Sequence, residues 1–600
     1  MKNFLFLWLL CLCFPLGIMA QNGQDEQLAK QFFKSGSYQK ASELYEKLYK
    51  KYKSSNYYNY LFDCYIALNE LDEAKKLTKK YSKKYKNNPT SIIDLGHIHQ
   101  IGGHPKKAEQ SFEEALELIE KRPQYVATAA NRLYKYLYFD FAIKAYKIGL
   151  RDPAKSNYHF QIARIYGQMS DMENMYSNYL ELLSVNYGYL QSVKNAIART
   201  ISQDSEQENN ILLKKLLLKR VQNNNEEALA ELLIWLFVQE KNFDAAFDQE
   251  KSLDQKLGLN QEKVFKLASI CRKNEAYSTA IDCYQYILNT EGSPYFLDAQ
   301  LEILSVKKEQ LSNNPGTSKE QWSELKSEYV LSFNSLGKTS YTILLLRDLA
   351  QIEAFRLHDI KSASATIQEA LAINTASPED KAACKLVYAD ILLLQNEIWD
   401  SILLYSQVDK EFKHDLLGHE AKFRRAKISY YQGDFDWAQA QLDVLKASTS
   451  KLIANNAMEL SLLIQDNLNL DTTTVTMQIF ARADLLIYQN KLDEAYTSLD
   501  SIITDYQGHS LIDECLFRQY EIRTVQDRIE DAAELLEQII QFYSFDILAD
   551  DAKYALAKLQ ENYFRRPEEA LKLYQDIITN HQDSFFLAEA RKRFRILRGE

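Results

Sequence analysis

The stretch FFKSGSYQKASELYEKL, residues 32–48, sets Gly36 and Ala41 among phenylalanine, tyrosine and leucine at intervals close to a helical turn. A small residue held among large ones lets a second element approach closely. A glycine between two such runs frees the backbone to take a positive φ, which an unbroken helix does not need. The segment therefore reads as the end of one helix, a turn at Gly36, and a second helix that presents Ala41 to the first.

The same offsets recur along the chain. Leu28-Ala29, Phe32, Gly36, Tyr38, Ala41, Tyr45 and Leu48 are matched by Ile162-Ala163, Tyr166, Ser170, Met172, Met175, Tyr179 and Leu182. They are matched again by Leu267-Ala268, Cys271, Glu275, Tyr277, Ala280, Tyr284 and Ile287. Partial copies stand at Gly96 with Gly103 and Ala108, Ala130 with Ala142, Ala389 with Ile398, Ala426 with Gly433 and Ala438, and Ala483 with Asn490 and Ala495. Roughly a dozen to fourteen units account for most of the chain. The match is poor over 190–222 and 510–545, and the period breaks at about 290–340, around NNPGTSKEQ, and at about 447–475, around DTTT.

This spacing resembles the tetratricopeptide repeat, a helix-turn-helix unit of about 34 residues. The resemblance implies an all-α fold, a right-handed superhelical solenoid of such repeats. It divides the chain into a signal peptide (1–20), an N-terminal array (21–290), an irregular helical junction (291–340) and a C-terminal array with a cap helix (341–600). In this family the first helix of each unit lines a concave groove, with the residues one and four places after the small position facing it. The groove residues so implied are Lys30, Phe33, Asn131, Tyr134, Arg164, Arg272, Lys427 and Tyr430. The final residues, LYQDIITNHQDSFFLAEARKRFRILRGE, resemble the ends of periplasmic members from outer-membrane assembly and Tol-Pal systems.

Composition agrees with a long helical array. At 600 residues the chain exceeds the roughly 250–300 residues at which a single core stops growing. Only 17 glycines and 9 prolines interrupt it, and 46% of the residues are hydrophobic, which argues against disorder. The formal charge of −10 argues against a nucleic-acid binder that neutralises phosphates. Lysines concentrate between Lys40 and Lys86, so a basic N-terminal lobe is expected to meet an anionic envelope surface.

The first residues read as an export signal: Lys2, an apolar run from Phe4 to Ile18, and Ile18-Met19-Ala20 as a cleavage site before Gln21. The mature chain is then expected in the periplasm, associated with the outer membrane or free of it, with no transmembrane segment. Outside the signal the cysteines are Cys64, Cys271, Cys283, Cys384 and Cys515, scattered without a CxxC pair, and they read as buried thiols.

Catalytic and ligand-binding patterns are sought against that background. SLGKTS, residues 335–340, ends like a phosphate-binding loop, but Ser332 stands where its first glycine belongs and the preceding segment is helical in pattern. Gly337 reads instead as a helix end. His97 and His99 fall on nearly opposite faces of a helix, so they do not share a metal, and His104 lies in the following turn. No HExxH or GxSxG motif occurs. No cofactor, metal or catalytic residue is therefore expected. The expectation is a noncatalytic scaffold that binds proteins or peptides and helps assemble or organise an envelope complex. The alternatives are a periplasmic partner of outer-membrane protein assembly or secretion machinery, and the solenoid support of a peptidoglycan-acting enzyme.

Overall fold

A computed structural model describes residues 24–223, 227–258, 260–314, 316–447, 450–468 and 473–599. The proposed export signal and the first two residues of the DTTT run at 471–474 lie outside them. The described residues form α-helices and short 3-10 turns, with no strand. The chain makes two compact units, Met1–Thr279 and Ala280–Glu600.

Each unit is built from pairs of helices joined by tight turns. The turn residue lies two places before the second helix and takes a left-handed conformation. It is Gly36, Asn69, Gly103, Leu137, Ser170, Lys241 and Glu275 in the first unit. In the second it is His358, Asn396, Gly433, Asn490, Asp527 and Arg565. Its backbone N–H bonds back into the first helix, as Gly36 to Phe33 O at 3.2 Å and Asn69 to Ile66 O at 3.0 Å. Five places after the turn stands a small residue with essentially no exposure: Ala41, Ala74, Ala108, Ala142, Ala246 and, in the second unit, Ala363, Ser401, Ala438, Ala495, Ala532 and Ala570. This is where the second helix meets the first, and a larger side chain would hold them apart. Met175 is the exception, and Gly167 opposite it leaves the room, since a Cβ there would sit 2.9 Å from the Met175 sulfur. These are the packing positions of the tetratricopeptide pattern.

Three departures explain the weak stretches of sequence. Over 190–222 the first helix is only Leu190–Ile197, and the loop after it is pinned by buried Asn210, which donates to Ser202 O (3.0 Å) and Glu240 Oε1 (3.1 Å). The region 291–340 is a pair of long helices, Phe296–Ser312 and Lys319–Leu336. Ser318 caps the second with a capping box and Gly337 ends it at φ 73°. At 447–475 an additional helix, Lys451–Leu468, is interposed, so that helix Val475–Tyr488 also packs on Leu416–Tyr431. By contrast 510–545 is a regular hairpin, Ile512–Val525 and Ile529–Phe542. Its first small position is filled by Tyr520, which hid it in the sequence, while Ala532 is retained.

All five cysteines outside the proposed signal are buried, and none is in a disulfide. Among the described residues no helix is long and apolar enough to cross a membrane.

Candidate binding cleft in the first unit

Three first helices of consecutive hairpins, Ser55–Ala67, Thr90–Ile101 and Val126–Lys135, lie side by side. The outer two each send a polar stripe at helical spacing to one cleft: Asn56, Asn59, Tyr60 and Asp63 from one, Thr128, Asn131, Arg132 and Lys135 from the other. The residues between them, Tyr58, Leu61, Phe62 and Cys64 on one helix and Val126, Ala129, Ala130 and Leu133 on the other, are buried, so each helix has an apolar face and a polar face. The cleft has a volume of about 410 Å³, and Thr90 from the middle helix completes its lining.

Its floor is a buried ion pair. Asp94, fully buried on the middle helix, receives Arg132 Nε at 2.7 Å and Nη2 at 3.0 Å. The Tyr58 hydroxyl donates to it at 2.6 Å and the Tyr136 hydroxyl at 3.0 Å. One carboxylate thus ties together three successive hairpins. Burial, with Asp94 beside it, pushes the Tyr58 phenol well up. Burial acts to lower the Arg132 pKa, but Asp94 and Tyr136 outweigh it, so the guanidinium stays charged. Above the floor Lys135 pairs with Asp63 across the cleft. Burial raises the Asp63 carboxyl against the pull of Lys135 and Arg132. The amide oxygen of Asn59 is buried with no hydrogen-bond partner, although the residue lines the cleft.

The residues expected in a groove are distributed differently. Asn131 lies in the cleft and accepts from the Tyr146 hydroxyl at 2.8 Å. Tyr134 is half-buried against Phe139. Phe33 packs edge-on to Tyr38, Tyr45 and Tyr60, and Lys30 is exposed and paired with Glu26 at 2.6 Å. Arg164 is exposed, with Gln161 within 3.5 Å, and Arg272 is half-buried.

In the second unit the expectation for Tyr430 is corrected. It is 1% exposed and its hydroxyl donates to Asp484 at 2.7 Å. The reason is that helix Val475–Tyr488, which carries Asp484, packs on the helix of Tyr430, whose ring also meets Tyr431 and Phe435. Elsewhere in this unit first helices also meet. Gln489 Nε2 donates to Leu393 O at 3.0 Å, and the rings of Phe355 and Tyr488 are 6.1 Å apart. Lys427 is half-buried beside the rings of Tyr431 (5.7 Å) and Tyr488 (6.0 Å). Its inner face is therefore filled by the protein's own side chains.

A device that sequence reasoning missed recurs in both units. A carboxylate on one first helix is bound by a guanidinium from the next first helix and by a phenol. The three examples are Asp94 with Arg132 and Tyr58, Asp484 with Arg518 (3.1 Å) and Tyr430, and Asp390 with Arg424 and Tyr405. The acid and the base stand about one repeat length apart in the sequence, which is the signal that would have found them.

His97 turns inward, stacked on Tyr136 with ring centroids 3.8 Å apart and its Nδ1 2.8 Å from the Tyr138 hydroxyl, and burial lowers its pKa to about 4. Among the described residues no group of histidines, cysteines and acids could hold a metal ion.

No family model matches the chain, and no curated protein matches it. Solved structures similar to it include the Naa15/Naa10 complex bound to HypK-THB, at 14% identity over 96% of each chain and a TM-score of 0.27. They also include the APC/C hetero-tetramer Cut9–Hcn1, at 13% identity over 97% of this chain and 98% of that one with a TM-score of 0.23. A third is yeast Tom70, at 14% identity over 94% and 97% with a TM-score of 0.27. At these scores the likeness carries no functional inference.

Proposed function

We propose that the protein is a noncatalytic scaffold of the cell envelope that binds a segment of another protein in the first-unit cleft and helps assemble or organise an envelope complex. The observation that carries the reading is the pair of opposed polar stripes. An extended peptide presents N–H and C=O groups in alternation, and the two stripes offer side-chain amide and hydroxyl groups from Asn56, Asn59, Thr128 and Asn131 to meet them. The Asp94 ion pair fixes the walls in advance, which lowers the ordering cost of binding. The sequence supports export through residues 1–20, and hence a periplasmic location. The exposed lysines between Lys40 and Lys86 offer a separate electrostatic contact to an anionic envelope surface.

The test is in-cell photocrosslinking from Thr128, with identification of what is captured. Capture of envelope proteins that disappears on Asn59→Leu together with Asn56→Leu supports the reading. Capture unchanged by those substitutions, or turnover of peptidoglycan by the purified protein, refutes it.

A further inference from the structure

We propose that the outward face of helix Leu587–Arg598 docks on an anionic phospholipid bilayer. The reading is independent of the cleft.

The helix has two distinct sides. Inward, Ala590 is buried with Tyr574 and Ile577, Phe594 and Leu597 pack against the same cluster, and Arg593 pairs with Glu561. Outward, Ala588, Arg591, Lys592, Arg595 and Ile596 follow one another at spacings of three, one, three and one and line a single shallow surface. All five are exposed. Among the described residues neither Arg591 nor Arg595 is paired with a carboxylate, and Lys592 only approaches Glu589, at 3.6 Å.

The preceding first helix, Ala549–Asn562, shows what this face looks like when a hairpin covers it. There Ala557 stands in the place of Arg595 and is fully buried, and Lys553, in the place of Arg591, is consumed by an ion pair with Asp576. Covering the outward face of Leu587–Arg598 in the same way would bury three cations against an apolar helix, which is prohibitive without carboxylates to meet them. Solvation alone is equally well served by side chains of either sign. This stripe carries one sign only.

The apolar groups decide between an acidic protein and a lipid surface. Ile596, 49% exposed, sits among the cations, and Phe585, 92% exposed, stands two residues before the helix in the turn. The equivalent turn one hairpin earlier carries Phe545 at 102% and Ile547 at 78%. An acidic protein surface satisfies the cations and leaves projecting rings in water. The bilayer interface accepts both, with lipid phosphates for the cations and the headgroup–acyl boundary for the rings.

The purified protein is tested by flotation with phosphatidylglycerol–phosphatidylcholine vesicles against pure phosphatidylcholine. Preferential binding to the anionic vesicles is expected, weakened by salt. The triple variant R591E/K592E/R595E should bind them roughly a hundredfold more weakly, since each cation near such a surface contributes about 1 kcal/mol. Phe585→Ser with Ile596→Ser should weaken binding about tenfold even at high salt. Because every substituted side chain is exposed, thermal melts should coincide with the parent and exclude misfolding. Equal binding to both vesicle types, undiminished binding by the charge-reversed chain, or binding lost only when the Lys40–Lys86 lysines are reversed overturns the proposal. So does capture of an acidic protein by this face without vesicle binding.

Discussion

Replacing Arg132 by methionine tests whether the Asp94 ion pair holds the first unit together. Methionine keeps the apolar stem and removes the guanidinium that supplies two of the four hydrogen bonds to Asp94. The carboxylate is fully buried, so it is left as an anion held by two phenols. Removing one partner of such a pair costs about 3–5 kcal/mol. In a unit of this size each kcal/mol lowers the melting midpoint by about 2–4 °C, so a fall of roughly 6–20 °C is expected by calorimetry. The double variant Asp94→Asn with Arg132→Met removes both charges and keeps an acceptor for Tyr58 and Tyr136. Only neutral hydrogen bonds of about 1 kcal/mol each are then altered, and at least half of the loss should return. A shift below about 3 °C for Arg132→Met, or a double variant as poor as the sum of its singles, would refute the reasoning.

Other consequences are as direct. His97 has a folded-state pKa lowered by burial to about 4 from an ordinary 6.5, so its contribution to stability is present above about 6.5 and is lost as pH falls toward 4. After allowance for the ring's partial exposure the loss is about 2 kcal/mol, and His97→Gln should flatten the stability–pH curve in that window. Gly418→Ala puts a Cβ against the carbonyl of Phe412, backbone that cannot step aside as a side chain would, and urea unfolding should show the second unit destabilised by about 3 kcal/mol or more. Burial pushes the thiols of Cys64 and Cys384 up to about 12, so neither should react with a thiol reagent in mildly alkaline buffer until the chain unfolds.

The architecture was legible because packing constrains side-chain size at a fixed distance from each turn. Ala41, Ala74, Ala108 and Ala142 mark successive second helices, and any one of them replaced by a large residue would separate a pair. The first-helix partner is freer: Ala29 and Ala130 are small, but Phe62, Gln351, Tyr520 and Lys558 occupy the same place elsewhere. Weighting both positions equally is why 510–545 looked irregular. The cleft was less legible. Asn131 was found from its offset, while Asn56, Asn59, Asp63 and Lys135 belong to stripes whose importance depends on which helices face each other. Tyr430 shows the limit of an offset rule, because its position would face an open groove only if helix Val475–Tyr488 did not pack against it and set Asp484 on its hydroxyl.

The left-handed turns also bear on how the chain stores conformational energy. An L-residue in that pose costs about 1–2 kcal/mol that glycine avoids, yet the pose is taken by Leu137, Lys241, His358 and Arg565 as readily as by Gly36 and Gly103. What recurs from hairpin to hairpin is thus a dihedral angle, imposed from outside by the two helices that must fold back on each other. The tension at each bend is held by the packing of the two helices that it joins.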